Sequence, residues 1–151
     1  MFELTNDSEF VTRCLTSPAI WRMGSDDSVI GINPELFFAQ KNNTIWLKVG
    51  DYGVFIGRPI NHISLDVHVA LLPDAKGKAA EISKGAIKWM FNNTQYLHMN
   101  ASIPEYNKLA IRLAEKVGME FIGINKGSFM KDGKLYNQYL FGIQKEDVCQ
   151  D

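Results

Sequence analysis

Apolar and polar residues alternate along the chain with two different periods, which predict a series of strands and helices. An apolar start at residues 1–4 indicates a strand, and apolar residues at helical spacing within residues 6–16 indicate a helix capped by Asn or Asp. Ser17 followed by Pro18 is typical of a second helix start, because the fixed φ of proline suits the first turn. Residues 24–33 are loop-like.

The middle of the chain changes to strand periodicity. Stretches rich in β-branched and aromatic side chains flank turn residues 50–53, and this arrangement predicts a hairpin followed by further strands. The predicted strands of this region span residues 44–49, 54–60, 62–72 and 94–101. Between the last two, residues 79–91 carry apolar side chains on one helical face and predict a helix.

The last third of the chain predicts one helix and one hairpin. Ser102 and Glu105 have the spacing of a capping box and predict a helix start there, with Gly118 at the helix end. The residues predicted to face inward from this helix are Tyr106, Leu109, Ala110, Leu113, Ala114 and Val117. Strands predicted at residues 119–124 and 135–143 flank an Asp132-Gly133 pair, which is typical of a hairpin turn.

The predicted order is strand, two helices, three strands, helix, strand, helix and two strands. A strand, helix, strand run implies a parallel pair with a right-handed crossover, whereas the hairpins imply antiparallel flanks. We therefore expect an α+β, or mixed α/β, fold around one mixed central sheet. No linker or repeat divides the 151 residues, so one domain is predicted at residues 1–145, with a polar tail at residues 146–151 and fraying from Lys145 onward.

Composition and charge exclude several functional classes. With 46% hydrophobic residues the chain can bury a core, and a net charge of −1 without a basic stripe argues against nucleic-acid binding. No apolar stretch approaches the roughly 20 residues that cross a bilayer, so we expect no membrane partner and a cytoplasmic protein. Cys14 and Cys149 are too few and too far apart for a zinc site or a disulfide framework, and the three histidines lack metal-ligand spacing.

Polar side chains alternate with apolar ones in two strands that should be central in the sheet. Asp66 and His68 fall on the face opposite Leu65 and Val67, and His98 occupies an equivalent polar position in the strand at residues 94–101. Such a polar set in a central strand indicates a cleft, and each of these three side chains is a candidate general base. His68 is the first candidate because imidazole titrates near neutral pH. The alternative is that all three are satisfied polar residues under loops.

Two stretches, together with the element order, resemble the GNAT superfamily of acetyl-coenzyme A dependent N-acetyltransferases. Residues 71–79 read Leu-Leu-Pro-Asp-Ala-Lys-Gly-Lys-Ala, which is similar to the family pattern Val-x-Pro-Glu/Asp-x-Arg-Gly-x-Gly. Residues 107–120 resemble the family pattern Asn-x-x-Ala-x-x-Leu-Tyr-x-Lys-x-Gly-Phe. The resemblance covers essentially the whole chain.

The resemblance implies a coenzyme site between two splayed strands. A loop of unpaired amides at a helix start binds anions, and in the family this loop holds the coenzyme A pyrophosphate. The corresponding residues are Lys76, Gly77, Lys78 and Ala79, while Leu71 and Leu72 would pair with the pantetheine arm and Asn107 would face the coenzyme. An ordinary strand-to-helix turn and an exposed helical Asn are the alternatives.

The implied activity is acetyl-CoA-dependent N-acetylation, in which an amine of a small molecule or a protein attacks the thioester directly. Three departures from the family pattern favour a second hypothesis: Ala79 and Glu81 replace small loop residues, and Ala114 replaces the general-acid Tyr. On this hypothesis the fold is a catalytically degenerate assembly factor or interaction module. The overall character of the sequence is similar to GNAT-like proteins of the head-assembly genes of tailed bacteriophages. Phage structural proteins in the bacterial host cytoplasm would then be the partners.

Overall fold

The computed structural model describes residues 1–27 and 43–149. In it the chain folds into a seven-stranded mixed sheet with helices on both faces. The strands are β1 (Phe2–Leu4), β2 (Ile45–Val49), β3 (Gly53–Pro59), β4 (Ser64–Leu71), β5 (His98–Pro104), β6 (Glu120–Lys131) and β7 (Lys134–Gln144). The helices are α1 (Ser8–Leu15), α2 (Pro18–Gly24), α3 (Ala79–Asn93), α4 (Lys108–Lys116) and α5 (Lys145–Val148). A short 3₁₀ helix at Pro73–Ala75 precedes α3.

The strand order in the sheet is β1-β2-β3-β4-β5-β7-β6. Neighbouring strands are antiparallel except β4 and β5, which are parallel and are joined through α3. The predicted mixed sheet and the predicted order of elements are therefore confirmed. The loop predicted at residues 24–33 continues beyond residue 27 into a segment outside the described residues.

The first two helices begin where the sequence predicts. The Asp7 side chain accepts a hydrogen bond of 3.1 Å from the Phe10 amide and caps α1, and Pro18 is the first residue of α2. Along α1, Phe10, Val11 and Cys14 are buried against the sheet. Burial raises the pKa of the Cys14 thiol to about 11, so this thiol is protonated at neutral pH.

The sheet separates two hydrophobic clusters. The larger cluster packs α3 and α4 against one face and includes Leu65 and Val67 of β4, whereas the smaller one packs α1 against the opposite face and includes Ile56 and Ala70. Successive side chains of a strand point to opposite faces, so β4 supplies both clusters. Each fully buried Leu or Phe side chain contributes about 2 kcal/mol to the stability of the fold. The face that carries α1 and α2 also receives the polar residues of β4.

The predicted capping box at Ser102 and Glu105 is wrong. Ser102 lies inside β5, which stays paired with β7 up to the register pair Pro104 and Gln138. Glu105 then continues the pairing beyond the strand, since its amide donates to the Asn137 carbonyl at 2.9 Å. The physical reason is that the β7 ladder supplies partners for the backbone of residues 102–105, and a local capping signal cannot compete with these hydrogen bonds.

Two predicted side-chain directions are also wrong. The alternation predicted over residues 94–101 puts Leu97 on the apolar side and Tyr96 on the polar side, but the strand begins only at His98. Tyr96 is instead buried at 6% exposure, and Leu97 is 49% exposed. In α4, which begins at Lys108, Leu109 borders an open cavity and is 74% exposed, so it is not part of the core. Ala114 and Val117 are buried as predicted.

The C-terminal part contains the predicted hairpin and one additional helix. Gly118 ends α4 with a φ of 94°, and Asp132 and Gly133 have φ values of 53° and 73°, as a tight hairpin turn requires. Fraying was predicted from Lys145 onward, but Lys145–Val148 form a helix, and Val148 packs on the larger cluster.

No helix among the described residues has the length and apolar composition needed to cross a membrane. Within residues 1–27 and 43–149, His, Cys, Asp and Glu side chains do not gather in any group of three that could hold a metal ion.

Candidate functional site

The central feature of the site is a gap between two parallel strands. β4 and β5 pair only at Ser64 with His98, Leu65 with Met99 and Asp66 with Asn100. Both strands continue well past this point, and β5 remains paired with β7 over its whole length. The C-terminal halves of β4 and β5 therefore separate, as the resemblance to the GNAT superfamily implies.

The backbone of β4 presents unpaired groups to this gap. The Leu72 amide donates to the Tyr52 carbonyl at 2.7 Å, on the side of β4 that faces β3. Because backbone groups alternate in direction along a strand, the amides of Val69 and Leu71 point the other way, into the gap. Leu71 is thus placed for the predicted pairing with an extended ligand arm. Leu72 is not, because its amide is already used.

An apolar cavity of about 360 Å³ opens on the side of the gap that faces α3 and α4. Its wall includes Val67 and Val69 of β4, Ala101 of β5 and Ala114 of α4. Ser83 of α3 also lines it; this side chain is only 3% exposed, and its hydroxyl has no hydrogen-bond partner in the described structure. A buried hydroxyl without a partner is costly, so a ligand group that can hydrogen-bond to it would be stabilised here.

A second, more polar cavity of about 580 Å³ opens on the side of the gap that faces α2. Its polar wall includes Arg58, Asp66 and Asp26, and its apolar wall includes Trp21 and Trp46. Residues that line both cavities are Ile20, Gly24, His68, Val69, Ser102, Phe129 and Gln138. The two cavities therefore meet at the gap, and His68 lies at their junction.

Asp66 orients His68 at this junction. The His68 Nε2 atom lies 3.1 Å from Asp66 Oδ2, with side-chain exposures of 40% and 27%. Both residues occupy the same face of β4, two positions apart, which is what the strand period predicts. A carboxylate beside an imidazole holds the ring in place. The pair is suited to accept a proton from a group in the second cavity.

His98 lies at the other end of the strand pair. His98 is paired with Ser64 of β4, which precedes His68 by four residues. His98 is therefore about 13 Å from His68 along the strand direction. Its Nε2 atom is 2.7 Å from Asn100 Oδ1, and it lines neither cavity. The structure brings Asp66 and His68 together but does not bring His98 to them. The predicted role of His98 as a base gains no support from this geometry.

The loop before α3 has unpaired amides, but not all of the predicted ones. The Lys76 amide donates to the Pro73 carbonyl at 3.1 Å, and the Lys78 amide donates to the Ala75 carbonyl at 2.8 Å. These two amides are therefore unavailable to a ligand, because the tight turn before the helix uses them. Lys76 can still contribute the charge of its exposed side chain.

Four other amides at this helix start have no acceptor within the described part of the chain. They belong to Gly77, Ala79, Ala80 and Glu81. Gly77 has a φ of 84°, in the left-handed region that favours glycine, and Lys78 provides no side-chain cap. Unpaired amides and the positive end of the helix dipole together attract an anion. The anion site predicted at Gly77 and Ala79 is consistent with this geometry.

The Lys78 side chain is held away from these amides. Its Nζ atom donates to the Tyr52 hydroxyl at 2.9 Å and lies 5.0 Å from the centre of that ring. This hydrogen bond raises the pKa of the Lys78 ammonium group, so its charge persists to higher pH. Glu81, which the sequence marks as unfavourable for a phosphate, is exposed on the first turn of α3.

Asn107 has a structural partner as well as a place in the site. Its Oδ1 atom accepts a hydrogen bond of 3.3 Å from the Ala110 amide and caps α4. The residue also lines the apolar cavity. Its side-chain NH₂ group still has its donors, so capping and the predicted contact with a coenzyme are compatible.

Sequence reasoning missed two residues of the site. Arg58 is a charged residue that directly follows the buried run of β3, and Ser83 is a polar residue within the buried face of α3. A charge inside an apolar strand is a signal that could have found Arg58. Ser83 carries a weaker signal, because serine is common on helices and its burial depends on tertiary packing.

No protein-family model matches the chain, and no curated protein sequence matches it. Several solved structures, however, are similar to the chain over nearly its whole length. The Vibrio cholerae spermidine N-acetyltransferase in complex with CoA and spermine has a TM-score of 0.76 and 15% identity, covering 98% of this chain and 96% of that chain. An acetyltransferase of the GNAT family from Bacillus anthracis has a TM-score of 0.68 and 17% identity, with coverages of 96% and 95%.

The ribosomal-protein-S5-alanine acetyltransferase from Vibrio fischeri gives a TM-score of 0.74 at 14% identity, covering 98% of this chain and 94% of that chain. These similarities extend over nearly the whole of each chain. The chain therefore has the fold of GNAT acetyltransferases, as its sequence predicts. At such low identity the likeness establishes the fold alone, and function has to be argued from the site.

Proposed function

We propose that the chain is an acetyl-CoA-dependent N-acetyltransferase in which an amine attacks the thioester directly. The observation that carries this proposal is the gap between β4 and β5, with an apolar cavity on one side and a polar one on the other. Such an arrangement allows a thioester and an amine to meet from opposite faces of the sheet. The solved V. cholerae enzyme, which has CoA and spermine bound, supports the choice of co-substrate.

The coenzyme would extend from the start of α3 into the apolar cavity. Its pyrophosphate would accept hydrogen bonds from the Gly77 and Ala79 amides, with the Lys76 charge nearby. The amide groups of the pantetheine arm would pair with the β4 backbone at Val69 and at the Leu71 carbonyl, as an added strand does, which leaves the Leu71 amide free. The Ser83 hydroxyl offers a further partner along the same path.

The reaction requires the removal of one proton before attack. The acceptor ammonium gives this proton to the His68 imidazole, which Asp66 orients, and the neutral amine attacks the thioester carbonyl carbon. The Leu71 amide stabilises the oxyanion that forms. Collapse breaks the C–S bond, and the second amine proton reaches the departing sulfur. The products are the N-acetyl amine and coenzyme A, and His68 returns its proton to solvent.

The departures from the family pattern leave room for this chemistry. Glu81 is exposed, and Ala114 lines the apolar cavity without closing it. The leaving thiolate would be protonated through the amine or water in place of a Tyr. The alternative role as a phage assembly factor receives no support from the solved structures, which are acetyltransferases.

Calorimetry with acetyl-CoA, followed by an acetylation assay on a panel of amines, tests the proposal. We expect binding and acetylation of at least one amine. His68→Gln should lower kcat by about 10²–10⁴-fold with an unchanged Kd for acetyl-CoA, because only proton transfer is lost. His98→Gln is the matched control and should retain activity. An absence of acetyl-CoA binding at millimolar concentration would refute the proposal, and an equal loss in both variants would refute the choice of base.

A further inference from the structure

Arg58 is a cation at the wall of the polar cavity, and no acidic side chain among residues 1–27 and 43–149 forms an ion pair with it. Its Nε atom is buried and has no hydrogen-bond partner, and none of the described residues forms an ion pair with its guanidinium group. The side chain as a whole is only partly buried, so the guanidinium borders the cavity rather than the core. An unpaired donor at a cavity wall is a position that a ligand can satisfy.

The expected partner of Arg58 is engaged elsewhere. Asp66 lies directly opposite Arg58 in the β3–β4 ladder, so the two side chains share one face of the sheet. The Asp66 carboxylate nevertheless contacts His68 at 3.1 Å. Asp26 lines the same cavity and forms no ion pair within 4.0 Å with Arg58. The cavity therefore presents a carboxylate–imidazole pair and, separately, a guanidinium whose Nε donor has no partner among the described residues.

The spacing between these groups limits what they can bind together. His68 is opposite Ile56 of β3, and Ile56 precedes Arg58 by two residues. Arg58 and His68 are therefore diagonal neighbours on one face of the sheet. Diagonal neighbours are about 7–8 Å apart, a distance that their side chains bridge when both turn toward one ligand. A ligand that places an amine at His68 therefore has its neighbouring carbon atoms within reach of Arg58.

We propose that the acceptor is a free amino acid, whose carboxylate binds Arg58 while its amine meets His68. This inference rests on the proposed acetyltransferase function and specifies its substrate class. Guanidinium recognises carboxylate through paired hydrogen bonds, which gives both affinity and orientation. Trp21, Trp46 and Ile20 supply an apolar wall for the amino-acid side chain. A polyamine fits less well, because its second ammonium group would be repelled by Arg58.

Matched pairs of acceptors that differ only in the carboxylate test this assignment. L-leucine is compared with 3-methylbutylamine, and L-phenylalanine with 2-phenylethylamine, in the presence of saturating acetyl-CoA. We expect kcat/KM for the amino acid to exceed that for its amine by about 10- to 100-fold, the range for a hydrogen bond to a charged group. Arg58→Met should remove this preference by raising KM for the amino acid alone, and Arg58→Lys should retain part of it.

Arg112→Met is the control, because Arg112 is exposed on α4 and lines neither cavity. It should leave the preference unchanged. Preference for the carboxylate-free amines, equal acetylation of a peptide N-terminus, or an equal effect of Arg58→Met on both members of a pair would overturn the assignment while acetyltransferase activity stands.

Ligand-observed NMR with the same pairs gives a readout that does not depend on acetylation. L-leucine and L-phenylalanine should bind the wild-type protein and not Arg58→Met, and absence of binding by both amino acids would overturn the assignment. If the amino acids bind but acetyl-CoA does not, the proposed enzymatic function fails and the amino-acid site remains.

Discussion

Helices α3 and α4 begin in opposite ways, although both flank the same cavity. At α4, the Asn107 side chain accepts a hydrogen bond from the Ala110 amide and satisfies one exposed donor. At α3, Lys78 provides no side-chain cap, and the amides of Ala79 and Ala80 have no acceptor in the described part of the chain. A missing cap costs about 1 kcal/mol, and the α3 start leaves donors unpaired that the proposed function assigns to a bound anion.

The comparison teaches that one helix start is capped by its own side chain, whereas the other leaves its first amides open to a ligand. If this is right, substitutions at the start of α3 should change coenzyme affinity more than stability. Substitutions at the two ends of α4 should mainly change stability.

The largest effect is expected from Gly77→Ala, with Gly118→Ala as its control. Both glycines have left-handed φ values, 84° and 94°, and a Cβ at either meets nothing within 4 Å. Each substitution should therefore lower the free energy of unfolding by about 1–2 kcal/mol through backbone strain. Only Gly77→Ala should also weaken acetyl-CoA binding, by about ten-fold or more, because the loop that carries the amides is displaced.

Thermal unfolding and calorimetry check this pair. Equal losses of stability with unequal losses of affinity support the comparison. A Gly77→Ala protein that binds acetyl-CoA as the wild type does would show that the loop amides do not hold the coenzyme.

Asn107 separates capping from ligand binding. Asn107→Ala should lower the free energy of unfolding by about 1 kcal/mol, or roughly 3 °C in Tm, since the α4 cap is lost. Asn107→Asp retains an acceptor for the Ala110 amide and should retain stability.

If the NH₂ group of Asn107 contacts the coenzyme, Asn107→Asp will weaken acetyl-CoA binding several-fold without a change in Tm. Unchanged affinity in both variants would assign Asn107 to capping alone. Differential scanning fluorimetry and calorimetry on the same samples distinguish these outcomes.

Glu81→Gln should tighten acetyl-CoA binding by about three- to ten-fold at low salt, because a like charge is removed from the anion site. The effect should diminish as ionic strength rises. Glu115→Gln, which changes an equally exposed acidic residue near the end of α4, is the control and should leave affinity unchanged. No change in Glu81→Gln, measured by calorimetry across a salt series, would place the phosphate away from this turn.

The smallest effect is expected from Tyr52→Phe. The variant loses the hydroxyl that holds the Lys78 ammonium group and raises its pKa. The released Lys78 can approach a bound phosphate, so affinity should rise by about two-fold at most. The Lys78 pKa should return toward its ordinary value, which NMR titration of the side chain would detect as deprotonation at lower pH. A marked fall in affinity would show instead that the Tyr52 ring contacts the coenzyme.

The part of the site that the sequence predicts is the part that depends on local periodicity. Asp66 and His68 share a face because they are two residues apart on a strand, and their contact follows from that spacing. The Gly77 turn and the α3 start follow from local backbone chemistry in the same way. His98 shows the limit of this reasoning, because its polar face was predicted but its distance from His68 depends on the register of β4 and β5.

Arg58 and the amides of Lys76 and Lys78 show a second limit. Whether Arg58 pairs with Asp66 depends on competition from His68, which lies on the neighbouring position of the folded sheet. Whether an amide remains unpaired depends on the carbonyls that the turn brings near it. Neither outcome can be obtained from residue type and spacing alone.

By itself, the sequence determined the order of the elements, the parallel pair within a mixed sheet and the shared face of Asp66 and His68, because each follows from periodicity and turn chemistry within a few residues. The tertiary structure alone decided where β4 and β5 separate, how far β5 continues before α4 begins, and which polar groups at the gap stay without partners. The reason is that the local sequence is compatible with more than one set of backbone hydrogen bonds, and pairing with distant segments decides which set forms. For β5, pairing with β7 keeps residues 98–104 in a strand.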